Sequence, residues 1–224
     1  NKLSSLLNSR IRLIISMGYI KEAAELMSQI PPEMFDDEML RAEANALFML
    51  NDNARVCSLV SSQVRKIDTS YWQKAFIFCQ SLAGEAEKAA LGASLLRETG
   101  ESTPIFHGLL NQISGLQKYN VKSLVDPEPL YFAMARVAKA ELPDDVVFSN
   151  NPAILRTIAI SPNASPEVRL EAAEKAEALG VLKTELLRQL YAGVAFSETA
   201  EGTSTLDASD KLGPVGSNFG GGPI

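Results

Sequence analysis

A single histidine, His107, is the first place to look for chemistry in this chain. General-base work there needs an oriented partner, and no motif around His107 supplies one. Phe106 and Leu110 set it beside an apolar helical stripe, so a structural or surface role is the expectation. Cys57 and Cys79 are the only cysteines, 22 residues apart, and with one histidine they make no zinc-ligand spacing. They fall on helices flanking a turn near Ile67 and Asp68, where antiparallel packing brings them to a similar level. Two buried thiols at small-residue positions are the preferred reading, and a bridge formed in an oxidising compartment is the alternative. Three acidic clusters, Asp36-Asp37-Glu38, Glu85 with Glu87, and Asp144-Asp145, sit at helix starts or turns, where the helix dipole accounts for them. Gly220-Gly221-Gly222 has no strand before it or helix after it, so it is no phosphate loop. Neither a Gly-x-Ser-x-Gly elbow nor a Walker lysine occurs. The chain is therefore read as non-enzymatic, without cofactor or metal.

The elements that hold these residues come from an ordinary globular composition of 46 % hydrophobic and 21 % charged residues in a chain of 224. A net charge of -6 and a pI near 5.0 repel phosphate backbones, which argues against nucleic acid as a partner. The apolar runs fall short of the roughly 20 residues a membrane span needs. The opening NKLSSLLNSRIRL lacks an initiator Met and reads as the start of an excised or processed piece, which leaves cytoplasmic and periplasmic locations both open.

Helical periodicity dominates the chain. Leu3, Leu6, Leu7, Ile11, Leu13, Ile14 and Met17 make a broad stripe that Gly18 stops. A second helix runs from Ile20 to about Ile30, before Pro31-Pro32. A third follows Asp36-Asp37-Glu38, and Asn51-Asp52-Asn53 turns into a fourth through Val56, Cys57 and Val60. Asp68-Thr69-Ser70 caps a fifth, on which Trp72, Ala75, Phe76, Cys79 and Leu82 share helical spacing; after Ala83-Gly84 comes a sixth. Placing Leu6, Leu40 and Trp72 in register gives spacings of 34 and 32 residues, in the range of helix-turn-helix repeats. Leu13, Leu47 and Cys79 then align, as do Ala23, Cys57 and Ala89. Trp72, Phe76 and Phe78 are read as core, while Tyr71 and Tyr119 reach a groove surface.

In the third of these units Trp72, Ala75, Phe76, Cys79, Ala89, Ala93 and Leu96 follow an order of large and small positions that resembles the tetratricopeptide family, with one extra residue in the turn. The first two units are degenerate copies. The resemblance covers roughly residues 3–100 and implies an all-α, right-handed solenoid of antiparallel helix pairs acting as a binding scaffold. Residues 1–115 form three repeats and a following helix, and residues 115–129, with Gly115, Asn120 and two prolines, are the candidate boundary. Residues 116–196 add less regular helices on the same solenoid, including one started by Ser165-Pro166-Glu167. Residues 197–224 are rich in Gly, Ser and Thr, a flexible linker or a docked tail.

The function expected on this reading is non-catalytic capture of a peptide or partner protein in the groove formed by the first helices. Asn8, Arg12, Arg41, Asn45, Gln73 and Lys74 are the groove residues, a set that favours carboxylate-bearing peptides. Two other classes stand beside it: the superhelical part of a larger cell-envelope enzyme resembling a lytic transglycosylase, and a structural subunit that self-assembles through its C-terminal tail.

Overall fold

A computed structural model describes residues 2–31 and 34–193, which form eleven α-helices and no strand. The first six helices make three antiparallel pairs: α1 (Lys2–Ser16) with α2 (Ile20–Met27), α3 (Asp37–Met49) with α4 (Asn53–Gln63), and α5 (Ser70–Leu82) with α6 (Ala86–Glu98). Each first helix ends in the same way. Gly18, Asn51 and Gly84 lie two residues past the last helical turn at φ of 84°, 60° and 77°. The amides of Tyr19, Asp52 and Glu85 reach back to the carbonyls of Ile14, Leu47 and Gln80, which satisfies the orphan carbonyls of the helix end.

These turns fix the repeat at 33 residues, because Gly18, Asn51 and Gly84 are evenly spaced. The same interval relates Ile11, Ala44 and Ile77, all at most 4 % exposed, and Ala23, Val56 and Ala89, all fully buried. The spacings of 34 and 32 read from Leu6, Leu40 and Trp72 are therefore corrected, since Leu6 is 59 % exposed whereas Leu40 and Trp72 are buried. Cys57 is not the counterpart of Ala23 and Ala89 either. Val56 packs inward at that position, which turns Cys57 toward the next first helix.

The period breaks after α7 (Pro104–Ile113). Its Leu110 still falls 33 residues after Ile77, and Pro at its first turn and the Thr103 hydroxyl cap its start. Residues 116–128 then run without regular structure, which matches the expected interruption. The chain turns back here, and α8 (Pro129–Ala138) packs on both α7 and α3. A short 3-10 turn, Asp144–Phe148, leads to α9 (Pro152–Ala159), which touches α1 and α3. α10 (Pro166–Ala178) packs on α9, and α11 (Thr184–Gly193) packs on α10. The Ser165 side chain accepts from the Val168 amide and caps α10, the start that Ser165-Pro166-Glu167 announces. The expected tail at 197–224 lies outside the described residues.

α3 is the centre of this arrangement. At 100° per residue Leu40, Ala44, Leu47 and Phe48 occupy one side, and Met39, Ala46 and Met49 the opposite side, yet all are buried. A helix covered on two sides is apolar nearly all round. That is the physical consequence of α8 and α9 returning to it.

Candidate functional site

The 33-residue register sorts the six groove candidates into three positions. Asn8, Arg41 and Lys74 are equivalent, Arg12 and Asn45 are equivalent one turn later, and Gln73 faces elsewhere. Most of these side chains tie neighbouring first helices together. Asn8 is 8 % exposed and its amide donates to Asp36, whose other oxygen caps α3 by accepting from the Met39 amide at 2.9 Å. Arg12 forms an exposed ion pair with Glu38 across the same gap. Arg41 lies over the ring of Tyr71, 4.5 Å from its centroid, while the Tyr71 hydroxyl donates to Asn45 at 2.8 Å. Trp72 Nε1 donates to Asp37 at 2.9 Å. Gln73 bonds only locally among these, to Asp68 at 2.6 Å.

Tyr71 therefore does not reach a groove surface. It is 4 % exposed, and burial pushes its hydroxyl's pKa up, with Arg41 opposing and Glu128 and Asp37 adding to the rise. Tyr119 is half-buried, its ring packed against the core beside Gly108 of α7. Trp72 and Phe78 are fully buried as core, whereas Phe76 is half-buried. A cleft of about 700 Å³ remains where Arg12, Ser16, Asn45 and Met49 face Glu128 and Asn151. The segments leading into α8 and α9 form its far wall, on the side where an open stack of first helices would present its groove.

Cys57 and Cys79 are joined by a disulfide, with Cα atoms 5.5 Å apart. The bridge links α4, the second helix of one pair, to α5, the first helix of the next. His107 Nε2 lies 2.6 Å from the Ser102 hydroxyl oxygen, in hydrogen-bond contact, and accepts from Arg97 Nε at 3.4 Å. Burial and the neighbouring Arg97 cation both lower its pKa. A serine and a histidine in contact suggest a nucleophile with its base. Here the cation shares the same nitrogen and opposes the imidazolium that proton abstraction would form. The arrangement pins the C-terminal end of α6 to the first turn of α7.

An open apolar groove lies on α5 and α6. Phe76 and Ile77 form the floor of a groove of about 470 Å³, Leu91, Leu95 and Leu96 form one wall, and Val64 at the end of α4 stands opposite. Leu91 and Leu95 are 64 % and 55 % exposed. Gln73, Gln80 and Lys88 lie on its edges, and Lys88 pairs with Glu85. Of the six residues expected in a groove, Gln73 alone reaches this one. The signal for it was present as Leu91 and Leu95 one turn apart on α6, a leucine stripe distinct from the buried Ala89, Ala93 and Leu96.

Among the described residues no helix is long and apolar enough to cross a membrane. No protein-family profile, curated protein or solved structure matches the chain.

Proposed function

We propose that this chain is a tetratricopeptide-like solenoid acting as a non-catalytic scaffold that holds a helical peptide of a partner protein in the α5–α6 groove. The observation that carries this reading is the groove itself. Leu91 and Leu95 stand open along one wall of a concave surface whose floor and rim, from Val64 to Phe76 and Leu96, are apolar as well. From Lys88 to the end of α6 at Glu98 it follows the helix for eleven residues, about 16 Å at 1.5 Å per residue, the length of a three-turn helix. Such a helix would present apolar anchors at i, i+3 or i+4, and i+7. The 33-residue period of three helix pairs supports the solenoid reading, and the Arg97–His107–Ser102 geometry supports a non-catalytic one.

Selection of peptides from a display library on the purified chain tests it. Selected sequences should carry the i, i+3/i+4, i+7 apolar pattern, and their binding should fall at least tenfold on the double variant Leu91→Asp, Leu95→Asp. Both leucines are exposed, so the variant keeps its fold. Equal binding to the variant would remove the groove from the account.

One observation favours a second reading, the superhelical part of a larger cell-envelope enzyme. A disulfide such as Cys57–Cys79 belongs to an oxidising compartment. Thiol labelling of the chain isolated from its native source under non-reducing conditions separates the cases: two labelled cysteines argue against the envelope.

A further inference from the structure

An apolar ridge runs along α1, where Leu6 and Leu13 are each 59 % exposed and Met17 is 42 % exposed. The 33-residue register identifies what covers this position in the other pairs. The counterparts of Leu6 are Met39 and Trp72, both fully buried, and those of Leu13 are Ala46 at 0 % and Cys79 at 7 % exposure. Cys79 names the neighbour directly, being bonded to Cys57 on the second helix of the preceding pair. One period before Cys57 stands Ala24, 1 % exposed on α2. One period after it stands Ala90 on α6, which is exposed together with Ala86 and Ser94 on the same face. α7 does not cover that face, since its main packing is on α8 and α5. Among the described residues, then, α1 carries one uncovered half of the interface between pairs, and α6 carries the other.

We propose that a second copy of this chain joins the two halves: α6 of one molecule stacks on α1 of the next, with Ala90 opposite Leu13. The helix pairs then continue across the junction as they do within the chain. Small residues on α6 allow the close approach that Cys57 allows on α4, and the leucines of α1 supply the apolar area. The two surfaces differ, so the contact is heterologous and extends head to tail or closes into a ring. This association is independent of the α5–α6 groove and of the residues after 193.

The natural disulfide sets the test. Cys57 and Cys79 occupy the positions of Ala90 and Leu13 in another pair, so cysteines placed at the latter two should bond between molecules. Two single variants of the 224-residue chain, Leu13→Cys and Ala90→Cys, each keeping the native bridge, are mixed and mildly oxidised. The expected result is a covalent dimer found only in the mixture, whose non-reducing digest links the peptide containing position 13 to the one containing position 90. In parallel, Leu6→Asp with Leu13→Asp should abolish self-association in light scattering without lowering the unfolding temperature, because both side chains are exposed. A mixture that stays monomeric overturns the proposal, leaving the α1 ridge to a different protein. Linkage of Leu13→Cys only to itself overturns it in favour of α1-to-α1 pairing.

Discussion

Asp36 has two jobs at one carboxylate: it caps α3 through the Met39 amide and receives the buried amide of Asn8. Asn8 Oδ1 is already buried without a partner, so losing Asp36 leaves that side chain unsatisfied at both ends. Asp36→Ala should cost about 2 kcal/mol in urea unfolding, the cap and the stranded amide together. Arg12→Ala, at an exposed ion pair, should stay within about 1 kcal/mol. Gly108 is fixed by a different constraint. A Cβ there would lie 2.2 Å from the Tyr119 ring, so Gly108→Ala should destabilise by about 1–3 kcal/mol, and Tyr119→Ala in the same chain should reduce that penalty. Glu43 gives a pH signature. Burial raises its pKa, partly opposed by Arg55, so the native state holds the proton more tightly than the unfolded chain does. The cost of the charged form is then fully present above the folded pKa and disappears as pH falls below the unfolded one. Glu43→Gln should stabilise the protein at neutral pH and lose that advantage in mildly acidic solution, which denaturation at the two pH values reads directly.

At the scale of elements, the turn residues and the bridge fix the spacing of the pairs. Gly84 has open space around it but φ of 77°, so Gly84→Ala should cost about 1 kcal/mol from backbone conformation alone. Asn51 stands at the same place in the second pair, and Asn51→Gly should be neutral or slightly stabilising in the same thermal melts. Reducing Cys57–Cys79, which closes a loop over a separation of 22 residues, should lower stability by about 3 kcal/mol. Much of this scale was legible in the residues. Gly18, Asn51 and Gly84 were readable as turns, and the six helices between them follow from periodicity. The register slipped because α1 carries leucines and isoleucines around so much of its circumference that a seven-residue ladder fits more than one line. Only the turn, where the backbone demands a left-handed residue, has a unique position. The return of α8 to α3 left no local signal, since it joins residues far apart in sequence through side chains that look like any helix core. For that reason Arg12, Arg41 and Asn45 read as an open groove, although the fold engages them between helices.

Among the described residues α8 and α9 return onto α3, a cleft remains between the segments leading into them and the first helices, and apolar surface stays exposed at α1 and along α5–α6. An acidic chain with an apolar groove and no cationic cluster lining it suits an amphipathic helix better than a carboxylate-rich strand. The double variant Arg41→Glu, Lys74→Glu should therefore leave peptide affinity nearly unchanged while reducing stability through loss of the contact with Tyr71. The most direct measurement is methyl NMR of the full chain titrated with a peptide selected on it. The account predicts saturable shifts concentrated at Val64, Ile77, Leu91, Leu95 and Leu96, with Ile15, Met49 and Ile154 of the inner cleft unmoved. Shifts confined to the inner cleft, with the α5–α6 methyls unchanged, would contradict it.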